Sequence, residues 1–418
     1  MKYSWSHFFI AVTSLMLLAS TASAQLTDAQ WRADLDTLAE TLLDRHPDFY
    51  TKHSVEEFKN AFDALDSQIQ TLDSHQIVME LCRLVALGGD SHTSIGFGVA
   101  AKSMHKLPIR CIVLSDGVFI SAANKANEQL IGAQILRFGD TDADEAYEKI
   151  GVLFGYENHW KLINAGSSYI TLLPALAAVG IAEDYRPDSF TLTIRDEAGV
   201  RDIELDCTVP AAKQPWVSFV EHLPGEVPLA YRKSRGYYQS EFISEHNAMY
   251  IAYNKCTESE DFPISLFTTF IMEKSEELNA QRIIIDLRSN DGGDETVIWP
   301  FIDALKESKR FTNKGDIIVL TSRWTYSSAM SNAHQFRDRV GAVLIGEPTG
   351  GKPNHFGQLD SFVLPNSMLK VYYSTKYFKK VPGDPDAVHP DILIEVGSED
   401  FFAGIDRVLD KAFSYEPE

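Results

Sequence analysis

Between residues 215 and 412 one unit recurs: a short apolar run, a turn of small polar residues, then apolar positions at helical spacing. The runs are Ala248–Tyr253, Arg282–Leu287, Asp316–Thr321, Ala342–Gly346, Ser361–Leu364 and Leu369–Ser374. Helical stripes fall near 264–279, 295–308, 328–338 and 400–413. Strands with no polar face need cover on both sides, and intervening helices can supply it. The alternation therefore predicts an α/β layer structure over 215–412.

Two blocks precede it. Residues 25–95 read as an N-terminal helical region, with Trp31, Leu35, Leu38, Leu42 and Leu43 on one stripe. Phe58, Phe62 and Leu65 form a second stripe, and Leu72 to Leu87 a third helix. Residues 105–210 read as a small β-rich domain. Its strands are Leu107–Leu114, Val118–Ala122, Phe190–Arg195 and Arg201–Cys207, with turns at Asp116-Gly117 and Glu197-Ala-Gly199. Gly132 to Asp140 followed by a helix at Ala143–Ile150 resembles a divergent PDZ domain with an insertion at 151–185.

The first 24 residues read as a secretory signal peptide. Lys2 supplies the basic region, Phe8 to Ala19 the apolar one, and Ala22-Ser23-Ala24 the small-residue cleavage site before Gln25. The apolar run is shorter than the roughly 20 residues a membrane-spanning helix needs. A periplasmic or secreted chain is expected, without a membrane span after cleavage. The formal net charge of −21 repels phosphate backbones, so nucleic acid and anionic membranes are poor partners. Cys82, Cys111, Cys207 and Cys256 lie in no CxxC, and no HExxH occurs, which argues against a metal site. Each cysteine reads equally as half of a disulfide or as a small buried apolar residue.

Four segments carry chemistry. Ile283-Ile-Ile-Asp286-Leu-Arg288-Ser-Asn290-Asp-Gly292-Gly293 runs a strand into paired glycines, which can turn backbone N–H groups outward as half of an oxyanion hole. Thr325-Tyr326-Ser327-Ser328-Ala329 places serines at a helix start, as an N-cap or as a nucleophile. Gly346-Glu-Pro-Thr-Gly350-Gly351-Lys352 fits GxxxxGK. Pro353, however, stands where a P-loop needs Ser or Thr, so Lys352 reads better as a loop residue or a serine-activating base. Upstream, Gly89-Asp90-Ser91-His92-Thr93 offers His92 as a general base or a turn residue.

Taken in order, G-D-S-H-T, D-L-R-x-N-x-G-G, T-Y-S-S-A and G-E-P-T-G-G-K resemble the C-terminal processing, or tail-specific, serine peptidase family, in its tricorn-like and retinoid-binding-protein-like branch. The resemblance covers roughly residues 85–395. It implies a ClpP/crotonase-like β-α spiral as the catalytic core over 215–412. It further implies Ser328 as nucleophile, matched on the small-Ser-Ala unit, with Ser327 the competing choice. The N–H groups of Ala329 and of Gly292 or Gly293 would hold the oxyanion. His92 or Lys352 would be the base, and Asp384 or Asp386, shortly before Pro390-Asp391-Ile392, an acidic partner. Ser331 and Phe356 depart from the family pattern, which expects Glu and Gln at those places.

The resulting expectation is an exported serine-type peptidase that cleaves peptide bonds through an acyl-enzyme, with no cofactor and a peptide or protein substrate. The rival reading is an inactive family member that binds peptide or a hydrophobic ligand. A crotonase-type enzyme acting on coenzyme-A thioesters is disfavoured by the export signal.

Overall fold

The computed structural model describes residues 25–97, 104–208, 215–232 and 236–417. The expected signal segment 1–24 lies outside them. Among the described residues no helix is long and apolar enough to cross a membrane.

Three helices open the chain, Asp28–Arg45, Val55–Gln68 and Ser74–Ala86. Each starts with a reciprocal capping box, Thr27 with Gln30, Ser54 with Glu57 and Asp73 with Gln76. Two otherwise unpaired N-terminal groups are satisfied at each start, which fixes the helix boundary. The buried stripe of Trp31, Leu35, Leu38 and Leu42 joins Phe58, Leu65, Ile77 and Leu81.

The β-rich block orders its strands Ile109–Leu114, Gly117–Asn124, Gln134–Phe138, Ser189–Asp196 and Gly199–Asp206 side by side, all antiparallel. Its insertion forms helices His159–Tyr169 and Leu173–Ala178. One apolar core runs without a break from Trp31 through Ile120, Phe138 and Leu173 to Val371. The helical and β-rich blocks, which read as separate in the sequence, thus share their interior.

The last block is the expected α/β layer. Six strands lie in the order Ile392–Leu393, Val343–Gly346, Ile317–Thr321, Arg282–Asp286, Ala248–Tyr253 and Tyr238–Ile243. All neighbours are parallel except the final antiparallel pair. One face packs Ile251, Ile283, Ile285, Val319 and Leu344 against helices Ile264–Glu277, Trp299–Glu307 and Ser328–Val340. The other packs Tyr250, Ile284, Ile318 and Ile345 against Arg407–Phe413. The fold class is therefore α/β, as expected.

Three elements differ from the sequence reading. Tyr238–Ile243 forms an edge strand that its polar Gln239, Ser240 and Glu241 concealed. The expected helix 400–413 is two helices, Ser398–Ala403 and Arg407–Phe413, because Gly404 takes φ +72° and ends the first. The hairpin His355–Val363 and Lys370–Phe378 is longer than its apolar runs suggested and pairs with Ser94–Gly96.

Arg288 explains the D-L-R triplet in structural terms. Its guanidinium bonds Asp286 and also makes two bonds, 2.7 and 2.8 Å, to Asp406, the N-cap of the last helix. All three side chains are nearly inaccessible. Removing one member leaves buried charge without a partner. Arg288→Ala is expected to lower unfolding free energy by about 3–5 kcal/mol, measured by urea denaturation.

Candidate active site

The strand ends of the parallel sheet are tied loop to loop. The Ser322 hydroxyl donates to the Arg288 carbonyl at 2.7 Å, and the Thr325 hydroxyl donates to the Leu287 carbonyl at 2.9 Å. The Tyr326 N–H donates to the Asn290 carbonyl at 3.0 Å. The Asn290 amide is held in turn by the Tyr253 carbonyl at 2.8 Å and the Gly292 N–H at 2.9 Å. Between strand Ile317–Thr321 and helix Ser328–Val340 this clamp leaves Ser327 at φ +53°, ψ −124°. Such a conformation costs on the order of 1–3 kcal/mol in a non-glycine residue and persists only when its surroundings enforce it. A sharp strand-to-helix turn of this kind lifts a serine hydroxyl out of the backbone.

His92 comes from the turn that follows helix Ser74–Ala86. Its Nε2 lies 3.0 Å from the Ser327 Oγ. Its Nδ1 lies 2.7 Å from the Tyr326 hydroxyl, and its ring stacks on Tyr326 with centroids 4.6 Å apart. The buried Asp90 carboxylate holds the loop that carries it. Asp90 accepts from the His92 N–H at 2.9 Å and from the Thr93 and Ser374 hydroxyls at 2.6 Å each, and it meets His46 Nε2 at 3.3 Å. Burial alone would raise this acid, but the bonds from His46, His92 and Ser374 together hold it far below the usual carboxylate range. His355 stacks behind His92 at 5.4 Å. Burial first, and then the neighbouring His92, push His355 down to about 4, so it is neutral at pH 7.

Ser328 points elsewhere, its hydroxyl donating to the Gly293 carbonyl at 2.6 Å. The structure thus joins Ser327, and not Ser328, to His92. The small-Ser-Ala match pointed to the second serine because a helix start shows in the sequence, whereas the twist of the residue before it does not. The Ala329 N–H is also spent, donating to the Tyr326 carbonyl at 3.1 Å, and that of Gly292 serves Asn290. Among the described residues no acceptor takes the N–H groups of Gly293 and Ser328, which flank the serine.

Lys352 is not brought to either serine. Its ammonium pairs with Asp384, and it lines a different cavity, with Asp48, Tyr156 and Phe356. Asp386 meets His389 at 2.8 Å, so neither expected acid approaches His92. The glycines before Lys352 have a packing reason. A Cβ on Gly346 would lie 2.2 Å from the Thr321 carbonyl oxygen, and one on Gly350 2.1 Å from that of Arg323. Glu347 of the same motif is buried against the Arg323 guanidinium, with Nε at 3.0 Å. The four cysteines are separate and buried, and burial pushes Cys82, Cys111 and Cys256 up to about 12.

Ser327, His92, Gly293, Lys161, His355 and Gln358 line one cavity of about 900 Å³. Lys161, Glu157 and His355 were not singled out from the sequence. Lys161 sits 3.4 Å above the Tyr326 ring, and burial lowers its amine to about 8. Asp90, His92 and Glu157 bring three ligand-type atoms within 4.8 Å of one another. Their bonds to protein groups already occupy them, apart from one buried Glu157 oxygen without a partner.

A serine on a strained turn, a histidine at bonding distance and free N–H groups beside it, on a parallel sheet, define a serine-type peptidase. Residues 300–394 match the model for peptidase family S41. Among solved structures the chain is similar to mature CPAF complexed with lactacystin, with 13% identity over 92% of this chain and 98% of that one, at a TM-score of 0.61. Mature CPAF alone gives 13% identity, 92% and 97% coverage and a TM-score of 0.60. At this identity the likeness is one of fold. The resemblance read from the ordered motifs is borne out.

Gly292 takes φ +107°, and a Cβ there would lie 2.8 Å from the Ser327 Cβ and 3.0 Å from the Ser328 nitrogen. Gly292→Ala is therefore expected to displace the serine turn. Stability should fall by about 1–3 kcal/mol in denaturant titrations, and covalent labelling of the serine should drop at least about tenfold.

Proposed function

We propose that the chain is an exported serine peptidase in which Ser327 is the nucleophile and His92 the base. The carrying observation is the 3.0 Å contact of His92 Nε2 with the Ser327 Oγ on its strained turn. Nε2 takes the hydroxyl proton as Oγ bonds the scissile carbonyl carbon. The oxygen of that carbonyl becomes an oxyanion facing the N–H groups of Gly293 and Ser328, the second at a helix N-terminus where negative charge is favoured. Collapse breaks the C–N bond, and Nε2–H returns the proton to the departing amine. Water then attacks the acyl-enzyme by the same route. Lys352 stays with Asp384 as part of the neighbouring loop.

A peptide or protein substrate follows from the family. The PDZ-like reading of 105–210 belongs to the same proposal. Among the described residues Gly199–Asp206 pairs on one side only, so an extended peptide would add there as a strand. Hydrogen exchange of this strand in the Ser327→Ala chain, with and without a long uncleaved peptide, checks it. Unchanged protection counts against it.

The direct test is fluorophosphonate labelling of residues 25–418. Labelling is expected to vanish in Ser327→Ala and to fall about 100-fold or more in His92→Ala. It should stay within a few-fold of the parent in Ser328→Ala and Lys352→Ala. Label located on Ser328 by peptide mapping would sink the assignment. Tight peptide retention without labelling would favour the inactive binder. N-terminal sequencing of the exported product should begin at Gln25.

A further inference from the structure

The proposed chemistry needs His92 neutral, with its lone pair on Nε2 and its proton on Nδ1. In many serine hydrolases a carboxylate accepts that Nδ1–H and so selects the tautomer. Here the contact is different. The nearest Asp90 oxygen is 3.7 Å from Nδ1, outside hydrogen-bond range, and it already accepts the His92 N–H. The partner of Nδ1 at bonding distance is the Tyr326 hydroxyl, at 2.7 Å.

From Tyr326 the bonds continue. Its hydroxyl makes a short contact with the Ser91 hydroxyl. The Ser91 Oγ and N–H both meet one oxygen of Glu157, at 2.8 and 3.0 Å. An ionised carboxylate only accepts, so the Ser91 hydroxyl proton points to Glu157. The Ser91 oxygen then accepts from the Tyr326 O–H. The Tyr326 oxygen, its proton spent, accepts from His92 Nδ1–H. Nε2 is left bare toward the Ser327 hydroxyl. Every proton in the row points the same way, and the direction is set at the far end.

We propose that Glu157, acting through Ser91 and Tyr326, holds His92 in the Nδ1–H tautomer. Glu157, Ser91 and Tyr326 are thus positioning residues for the base. The inference rests on the Ser327–His92 reading and deepens it. The carboxylate comes from the insertion at 151–185, carried by the β-rich block, and not from the segment before Pro390-Asp391-Ile392. Tyr326 is suited to the middle place because its backbone is pinned to Asn290 and its ring lies between the His92 ring and the Lys161 amine.

The test reads the tautomer itself. ¹⁵N-histidine NMR of the full exported chain, with His92 assigned by substitution, is compared among the parent, Glu157→Gln, Tyr326→Phe and Ser91→Ala. The parent should show the Nδ1–H form. Each variant should move His92 toward the Nε2–H form or a mixture. Fluorophosphonate labelling should slow about 10- to 100-fold, with peptide KM nearly unchanged and kcat reduced. Three variants at separate places keep the test open if one fails to fold. If the parent labels at Ser327, while folded Glu157→Gln keeps the Nδ1–H form and the parental labelling rate, the relay is wrong and the peptidase reading stands. If the parent does not label, the peptidase reading fails, and the NMR comparison still decides the relay.

Discussion

Two loops at the ends of adjacent parallel strands approach each other so closely that neither can relax alone. Residues 287–293 and 321–328 share four hydrogen bonds and a contact at Gly292 that admits no side chain. Ser327 keeps its unfavourable backbone because Tyr326 before it is bonded to Asn290 and the helix after it is packed through Ala329 and Ala333 into the core. The strain is local, and the packing that balances it is spread over a whole face of the sheet. A rigid scaffold thus holds one residue where it would not otherwise stay.

The second half of the site depends on a buried charge. Asp90 gathers His46 from the first helical segment, Ser374 from the long hairpin, and the backbone and side chain of its own loop. A lone carboxylate in this setting would be expelled or protonated; with four donors around it, it stays charged and orients the turn that presents His92. His92 is thus delivered by the N-terminal block and Ser327 by the α/β core, and the continuous apolar interior of the first two blocks keeps His92 in register. Glu157 extends the same arrangement, since its segment also belongs to that interior.

Much of this was legible in the chain of residues. The alternation of apolar strands and helical stripes predicted an α/β layer over 215–412. Apolar spacing marked the three N-terminal helices, and the ordered motifs contained both His92 and the Ser327-Ser328 pair that the structure brings near one another. The choice between Ser327 and Ser328 was not legible, because both stand at the helix start, one as its N-cap and one as its first residue, and the backbone twist at Ser327 leaves no mark in the sequence. A lysine after paired glycines reads as chemistry in the sequence, whereas the structure pairs Lys352 with Asp384 and packs Gly346 and Gly350 closely against Thr321 and Arg323. Glu157 left no signal, being one acidic residue among many in an insertion.

Periodicity and turn chemistry are local, so the sequence by itself determined where most of the strands and helices would form. It also determined the residue types available to a serine hydrolase. Which serine faces the histidine and which carboxylate ends the row of hydrogen bonds depend on contacts between residues more than 60 and up to 235 positions apart. Hydrogen bonds of about 3 Å tolerate errors of only a few tenths of an ångström, and only the packed tertiary structure sets positions that finely.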